Sequence, residues 1–252
     1  MTSVSNAAVG AFLAGNAAAK ARHGMNEAIA RLSTGVRAMY GGDAAGSSVG
    51  HSMRADGRGA LMAARNVEDG ISFLQAGESA LLELAALNTR LRELAVQKLN
   101  AAFLDTNQEA AITAEETAIK AAAVIIDNSA LNGISLLTSA IAFTTDLDGG
   151  LSTHGAAAGI VLADQVANTK TQAGKIAKAL GSMAAGISAL KGHQGTLYAL
   201  SANAEAAAAR VTDTDFARSS ADLAKFSIMN QSAMAMVAQA NQANAAVLAV
   251  LQ

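Results

Sequence analysis

The side chains able to do chemistry are few and are spaced badly for it. Four histidines, His23, His51, His154 and His193, are scattered over 252 residues. None stands in Glu-x-x-His or His-x-x-x-His spacing, so no helix face gathers two metal ligands. His23 and Glu27 do share a face, at the spacing of an ordinary surface contact. Cysteine is absent, which removes disulfides, thiolate ligands and thiol nucleophiles together. No Gly-x-Ser-x-Gly elbow occurs, and no glycine loop leads into a phosphate-binding lysine; Gly41-Gly42 reads as a turn. Arg90, Arg92 and Glu93 are, taken alone, a solvated helix face. No catalysis, metal or cofactor is expected of such a chain.

The elements that carry these residues are helical. With no proline anywhere, nothing forbids long uninterrupted helices. An aromatic content of 3% without tryptophan argues against β-sandwiches and base-stacking modules. A net charge of -2 supplies no field for nucleic acid or for anionic lipid. Charge is also unevenly placed: no Lys, Arg, Asp or Glu falls between Met1 and Ala19 or between Phe226 and Gln252. The two ends are thus suited to one shared, water-poor environment. In the second of them, Leu223, Phe226, Ala233, Val237, Ala240, Val247 and Leu251 alternate by three and four, with Asn230 and Asn244 filling the remaining slots of the same seam. That is a coiled-coil stripe in which buried amides set register and partner number. The amides of Asn230, Gln231, Gln239, Asn241, Gln242 and Asn244 make insertion in hydrocarbon costly, so the stripe predicts a protein-protein seam and no membrane insertion. Lys20 and Arg22 follow the first apolar stretch instead of preceding it, so no cleaved secretory signal is expected.

Along the chain, a first helix is predicted from about Ser5 to Leu32, broken by Ser33-Thr34-Gly35. Asp43 is placed to cap a second helix that runs to about Asn100, with a bend expected near Gly57 and Gly59. Its core face reads Val67, Ile71 and Leu74, then Leu84, Leu87, Leu91 and Leu94; the change of phase between the sets predicts a stutter or a change of partner face. The part from Ala60 to Asn100 alone would be roughly 60 Å long at 1.5 Å per residue. Thr106-Asn107-Gln108-Glu109 has capping-box spacing, with Thr106 as the cap and Glu109 reaching back, and starts a helix to about Asp127. Asn132-Gly133 is a hairpin turn signal, and a hairpin or two is predicted between Ile134 and Leu162. A further long helix extends from about Ala163 to Arg210. Thr212-Asp213-Thr214-Asp215 then opens the uncharged final helix. The near-palindromic order predicts a mainly α fold: long antiparallel helical hairpin or coiled-coil rods, the two ends paired, with a small β-hairpin region at the centre of the sequence.

Several strings, in this order, resemble bacterial flagellin. Arg31-Leu32-Ser33-Thr34-Gly35-Val36-Arg37 followed by Asp43-Ala44-Ala45-Gly46 is similar to the family's N-terminal signature. Arg65-Asn66, Asp69-Gly70-Ile71-Ser72, the run from Arg90 to Gln97, and Asn132-Gly133 ahead of Leu136-Leu137 continue it. Asp213-x-Asp215-Phe216-Ala217, Ala240-Asn241-Gln242, Val247-Leu248 and Leu251 resemble the C-terminal signature. The chain departs from the pattern in having the single acid Asp43 before Ala44-Ala45-Gly46 and no proline near Asn244. The resemblance implies a filament subunit stripped of variable outer domains, since only the stretch from Ser139 to Thr153 could be surplus. It implies residues 1–42 and 211–252 as the two parts of an inner coiled-coil domain with connecting loops, and 43–210 as the rod domain with its β excursion at about 134–162. It also implies subunit contacts at Arg31, Arg37, Asp43, Arg90, Glu93, Leu94, Asp213, Phe216, Phe226, Asn230, Val237, Asn244, Val247 and Leu251. The partners so implied are copies of the chain itself in a helical homopolymer, an export chaperone, a filament cap and hook-junction proteins. Localisation would be the extracellular filament, reached through the flagellar export apparatus without a cleaved signal. Two alternatives remain at this point: a hook-filament junction protein of the same superfamily, and a helical secreted adaptor or effector. The charge-free ends are further expected to order only when neighbours cover their apolar faces.

Overall fold

The computed structural model describes residues 2–37, 42–138, 140–144, 150–155, 162 and 166–250. The elements are α1 (Thr2–Thr34), α2 (Ala44–Lys98), a short 3-10 turn (Ala101–Phe103), α3 (Thr106–Asp127), β1 (Ala130–Leu131), β2 (Ile134–Ser135), β3 (Ala140–Thr144), β4 (Leu151–Gly155), α4 (Val166–Thr212) and α5 (Phe216–Val250). The mainly α prediction is borne out, as are the two small antiparallel hairpins in the middle of the sequence. Two compact units form, one from Met1–Arg54 with Glu205–Gln252 and the other from Ala55–Ala204.

In the first unit α1 and α5 pack together. They run antiparallel, since Gly35 lies beside Phe216 while Gly24 lies under Phe226 and Arg22 reaches Met234. Gly35, at φ +71°, takes the left-handed conformation that ends a helix, and its amide donates to the Arg31 carbonyl at 2.9 Å. The α1 side of the seam is made of small residues: Ala18, Ala21, Gly24 and Ala28 are buried, flanked by half-buried Ala11, Ala14 and Met25. On α5, Ala233 is buried and Leu223, Phe226, Asn230, Val237 and Ala240 are half-buried, so the predicted stripe faces α1 of the same chain. A Cβ at Gly24 would stand 2.6 Å from the Phe226 ring. Only glycine leaves that socket open.

In the second unit the core joins α2, α3, α4 and Leu136-Leu137 behind the first hairpin. Here the predicted change of phase in α2 does not occur. Ala60, Val67, Leu74, Leu81, Asn88 and Ala95 are all buried at seven-residue spacing, as are Ala63, Gly70, Gly77, Leu84 and Leu91. One heptad seam runs through. It was concealed because Gly70, Gly77 and Asn88 hold seam positions without being apolar side chains, and Leu87 is only a half-buried flank. The helix runs unbroken through Gly57 and Gly59. Gly77 is required by close approach: a Cβ there would lie 3.0 Å from Met183 Cε and 3.3 Å from the Leu136 carbonyl oxygen. Asn88 Nδ2 donates to the Thr169 carbonyl at 3.0 Å, and Lys98 Nζ donates to buried Glu116 at 3.0 Å. These polar bonds tie α2 to α4 and to α3.

The cap of α3 is shifted by one residue from the prediction. Asp105 is the N-cap, accepting from the Gln108 amide, while Gln108 reaches back to the Asp105 amide. A carboxylate next to the helix start is a stronger acceptor than the Thr106 hydroxyl, so Thr106 enters the helix and Gln108 takes the place expected for Glu109. The first hairpin turns at Asn132-Gly133, with φ 52° and 77°, the left-handed pair of a type I′ turn. The second pairs Ala140 with Gly155 through to Thr144 with Leu151.

The continuous seam separates two leucines that periodicity alone placed together. Leu84→Ala should destabilise the protein by about 2–5 kcal/mol, whereas Leu87→Ala should cost less than about 1 kcal/mol. Urea unfolding of the two variants measures the difference; equal losses would contradict the seam.

Candidate assembly surface

The seam between α1 and α5 fixes what those helices turn outward. Because alanine and glycine make up most of the α1 side, which meets Leu223, Phe226 and Val237 of α5, several other large apolar side chains point away from the seam. Phe12 is 69% exposed, Leu13 61% and Ile228 63%, with Val9, Ile29, Met229, Met234 and Met236 also exposed. An ordinary amphipathic pair places such residues between its helices. The pair is reversed in this sense, and it presents an apolar surface that a second protein surface would be needed to dry.

At the base of that pair, two connecting segments are laced into one piece. Val36 and Asp213 form an antiparallel bridge, with the Arg37 amide donating to the Thr212 carbonyl at 2.7 Å and the Thr214 amide to the Gly35 carbonyl at 2.8 Å. The Arg37 guanidinium donates to the Val211 carbonyl at 2.9 Å and to Asp43 at 2.6 Å. Asp43 in turn caps α2, accepting from the Gly46 amide at 2.8 Å, as its position in the sequence predicts. The Gly46 amide first, and the Arg37 guanidinium second, hold the Asp43 carboxyl below the usual carboxylate range. Arg54 donates to Thr212 and Asp213 at 2.9 and 3.2 Å and stands 3.7 Å from Glu205. Asp215 caps α5 by accepting from the Arg218 amide at 3.0 Å. Arg31, Arg37, Asp43 and Asp213 line one polar cavity of about 470 Å³, together with Arg210, Arg218 and Asp222.

In the second unit, Arg90 bridges two carboxylates: Nε meets Glu115 at 2.7 Å and Nη1 meets Glu93 at 2.9 Å. Both acids raise the Arg90 pKa, Glu115 more than Glu93, so its charge is permanent. Leu94 differs from its neighbours in being buried in the core, where it can support that face only from beneath.

Of the fourteen residues singled out by sequence, the structure thus gathers Arg31, Arg37, Asp43 and Asp213 around one cavity. Phe216 lies beside Gly35 with its ring exposed. Phe226, Asn230 and Val237 face the α1–α5 seam, and Arg90 joins Glu93. Asn230 Oδ1 is buried and unbonded. Leu251 and the side chains of Asn244 and Val247 lie outside the described residues. Sequence reasoning missed Arg54, whose partners are more than 150 positions away, and missed the outward residues Phe12, Leu13 and Ile228. A signal for the latter existed in the alanine spacing of α1. Among the described residues no cluster of His, Asp or Glu could hold a metal, and no helix is long and apolar enough to cross a membrane.

Comparison with known proteins gives two family matches: the bacterial flagellin N-terminal helical region over residues 6–141 and the bacterial flagellin C-terminal helical region over residues 163–251. The stretch between them holds most of the second hairpin. A flagellin of Halalkalibacterium halodurans is 32% identical, covering 90% of this chain and 91% of that protein. The flagellar filament 31.3 kDa core protein of Treponema maltophilum is 28% identical over 88% of this chain and 90% of its own length. A flagellin of Listeria monocytogenes is 26% identical over the same shares.

The lowered pKa of Asp43 makes the junction sensitive to acid. The folded state holds this carboxylate more firmly than the unfolded chain does, so its contribution is present above about pH 3.9 and is lost as pH falls through the lower, folded value. By NMR titration, Arg37→Met should raise the Asp43 pKa, and Asp43→Asn should abolish the acid transition of the Gly46 amide. An Asp43 pKa that ignores Arg37→Met would show that the pair does not persist in solution.

Proposed function

The chain belongs to the bacterial flagellin family, and from that premise we propose that it builds its filament through the outward apolar surfaces of both helices of the α1–α5 pair. It is a structural subunit of the flagellar filament and works by self-association; the filament lies outside the cell. The observation that carries the mechanism is the reversal of that pair, with small residues inside and Phe12, Leu13 and Ile228 outside. Neighbouring copies are the occupants that fit, since each brings the same outward apolar surfaces and the helices carry no charge to oppose their approach over residues 2–19 and 226–250. Burying a large apolar side chain is worth about 1.5–3 kcal/mol, a gain that the exposed side chains of the pair realise only on assembly.

In this reading Arg31, Arg37, Asp43, Asp213 and Phe216 set the junction that subunits share, and Arg90 and Glu93, held over Leu94, form a polar contact between rods. Phe226, Asn230, Val237, Asn244, Val247 and Leu251 act through the seam. The inner coiled-coil parts are 1–42 and 211–252, and the rod is 43–210. Export without a cleaved signal, a dedicated chaperone, a filament cap and hook-junction proteins belong to the same proposal. Relatives named flagellin and filament core protein favour a filament subunit over a hook-junction protein.

Phe12→Asp and Ile228→Asp should each abolish filaments in electron micrographs of seeded protein while leaving monomer stability within about 0.5 kcal/mol, because both sites are exposed in one chain. Ala21→Asp places a charge inside the seam and should impair both. Filaments from Phe12→Asp at normal yield would refute the outward face. Replacing residues 139–153, which hold β3 and the first residues of β4, by a Gly-Ser linker should leave assembly intact, because among the described residues these two strands pair only with each other; loss of filaments would make the second hairpin a subunit contact.

A further inference from the structure

Thioethers flank the same outward face. Met229, Met234 and Met236 are 41%, 49% and 62% exposed. At 3.6 residues per turn, Met229 and Met236 lie along one flank of the α5 seam and Met234 along the other. In a chain without cysteine, exposed thioethers are the side chains open to two-electron oxidation; Met62, 53% exposed, is another, but it belongs to the second unit and not to the α1–α5 pair. Met234 has a feature the others lack: Arg22 Nη2 of α1 points at its Sδ from 3.6 Å. That is the one partner of the Arg22 guanidinium among the described residues, and a thioether is a weak acceptor. The guanidinium therefore stands at the sulfur with its other donors turned to solvent, free to move to a stronger acceptor.

We propose that Met234, with Met229 and Met236, is an oxidation site for hydroperoxides that controls entry of the subunit into the filament. The sulfur lone pair attacks the distal peroxide oxygen. An S–O bond forms as the O–O bond breaks, sulfur loses two electrons, and the peroxide leaves as water or an alcohol after taking up its proton. At Met234 the new oxygen is a strong acceptor within reach of Arg22, so the sulfoxide is held across the α1–α5 seam. The flank then carries a polar oxygen and a fixed guanidinium where a neighbouring copy would bring an apolar surface, and an unmatched polar group there opposes docking. Assembled subunits would be shielded, and a thiol-dependent sulfoxide reductase would restore competence. This inference rests on the filament reading above.

The test treats full-length monomer with hydrogen peroxide, maps oxidised methionines by peptide mass spectrometry, and measures seeded filament yield. Met234, Met229 and Met236 should be oxidised before Met183, which is buried in the second unit. Filament yield should fall about tenfold or more, and the Arg22 side-chain NMR signal should move with Met234 oxidation. A variant carrying Met229→Leu, Met234→Leu and Met236→Leu should keep its yield under peroxide. As a measurement free of substitution, Met234 in preformed filaments should react at least about tenfold more slowly than in monomer. Normal yield from protein fully oxidised at these three positions, or equal reaction rates in monomer and filament, would overturn the proposal while leaving the filament reading intact. Absence of filaments from untreated protein would overturn both.

Discussion

Two helices that meet through alanine cannot bury much, and the architecture of the charge-free ends follows from that. A buried methyl group contributes on the order of 0.8 kcal/mol, well below the value of a buried phenylalanine or leucine. The α1–α5 pair thus spends its small residues on internal contact and leaves Phe12, Leu13 and Ile228 facing out. Much of the apolar free energy available to these helices is still unrealised in one chain. Association completes what folding leaves open, and the lack of charge over residues 2–19 of α1 and 226–250 of α5 removes the electrostatic cost of crowding those stretches.

The second unit follows the opposite rule. Its core sets leucine, isoleucine and valine around the small seam residues of α2, closed by Met183 against Gly77, and its buried acid Glu116 is paired. Two polar contacts sit within it. Asn88 on the α2 seam bonds the first turns of α4, and buried Glu116 holds Lys98. Neither is a strong source of stability once desolvation is counted. Both restrict which alignments of three long helices satisfy their polar atoms, and a leucine-only seam would lack that restriction. A unit that must present Arg90 and Glu93 at a fixed place has a use for such alignment.

Helix content, the ends' pairing, both hairpins and the Asp43 cap were legible in the sequence because each is written in local periodicity or in turn chemistry. The α2 seam was misread because glycine can be a core residue by absence: at Gly70 and Gly77 it is the partner's side chain that fills the space. The α3 cap was misplaced because two adjacent residues could each serve, and acceptor strength decided between them. Arg54 was invisible, since an ion pair between residues more than 150 positions apart leaves no local trace. The outward face was hidden for a related reason: an apolar stripe announces burial, and sequence alone does not say whether the burying surface belongs to the same chain.

An alanine seam is also smooth. Slid along its own axis by a turn or two, one row of methyl groups looks much like the next, and such a pair has little to hold its setting. The Phe226 ring over Gly24 supplies the missing index mark. Every other seam position nearby on α1, Ala18, Ala21, Met25 and Ala28, carries a Cβ, so the ring seats at one notch and is refused at the rest. Since each subunit would repeat that setting, a single phenylalanine-glycine notch becomes a ruler for the axial repeat of the polymer.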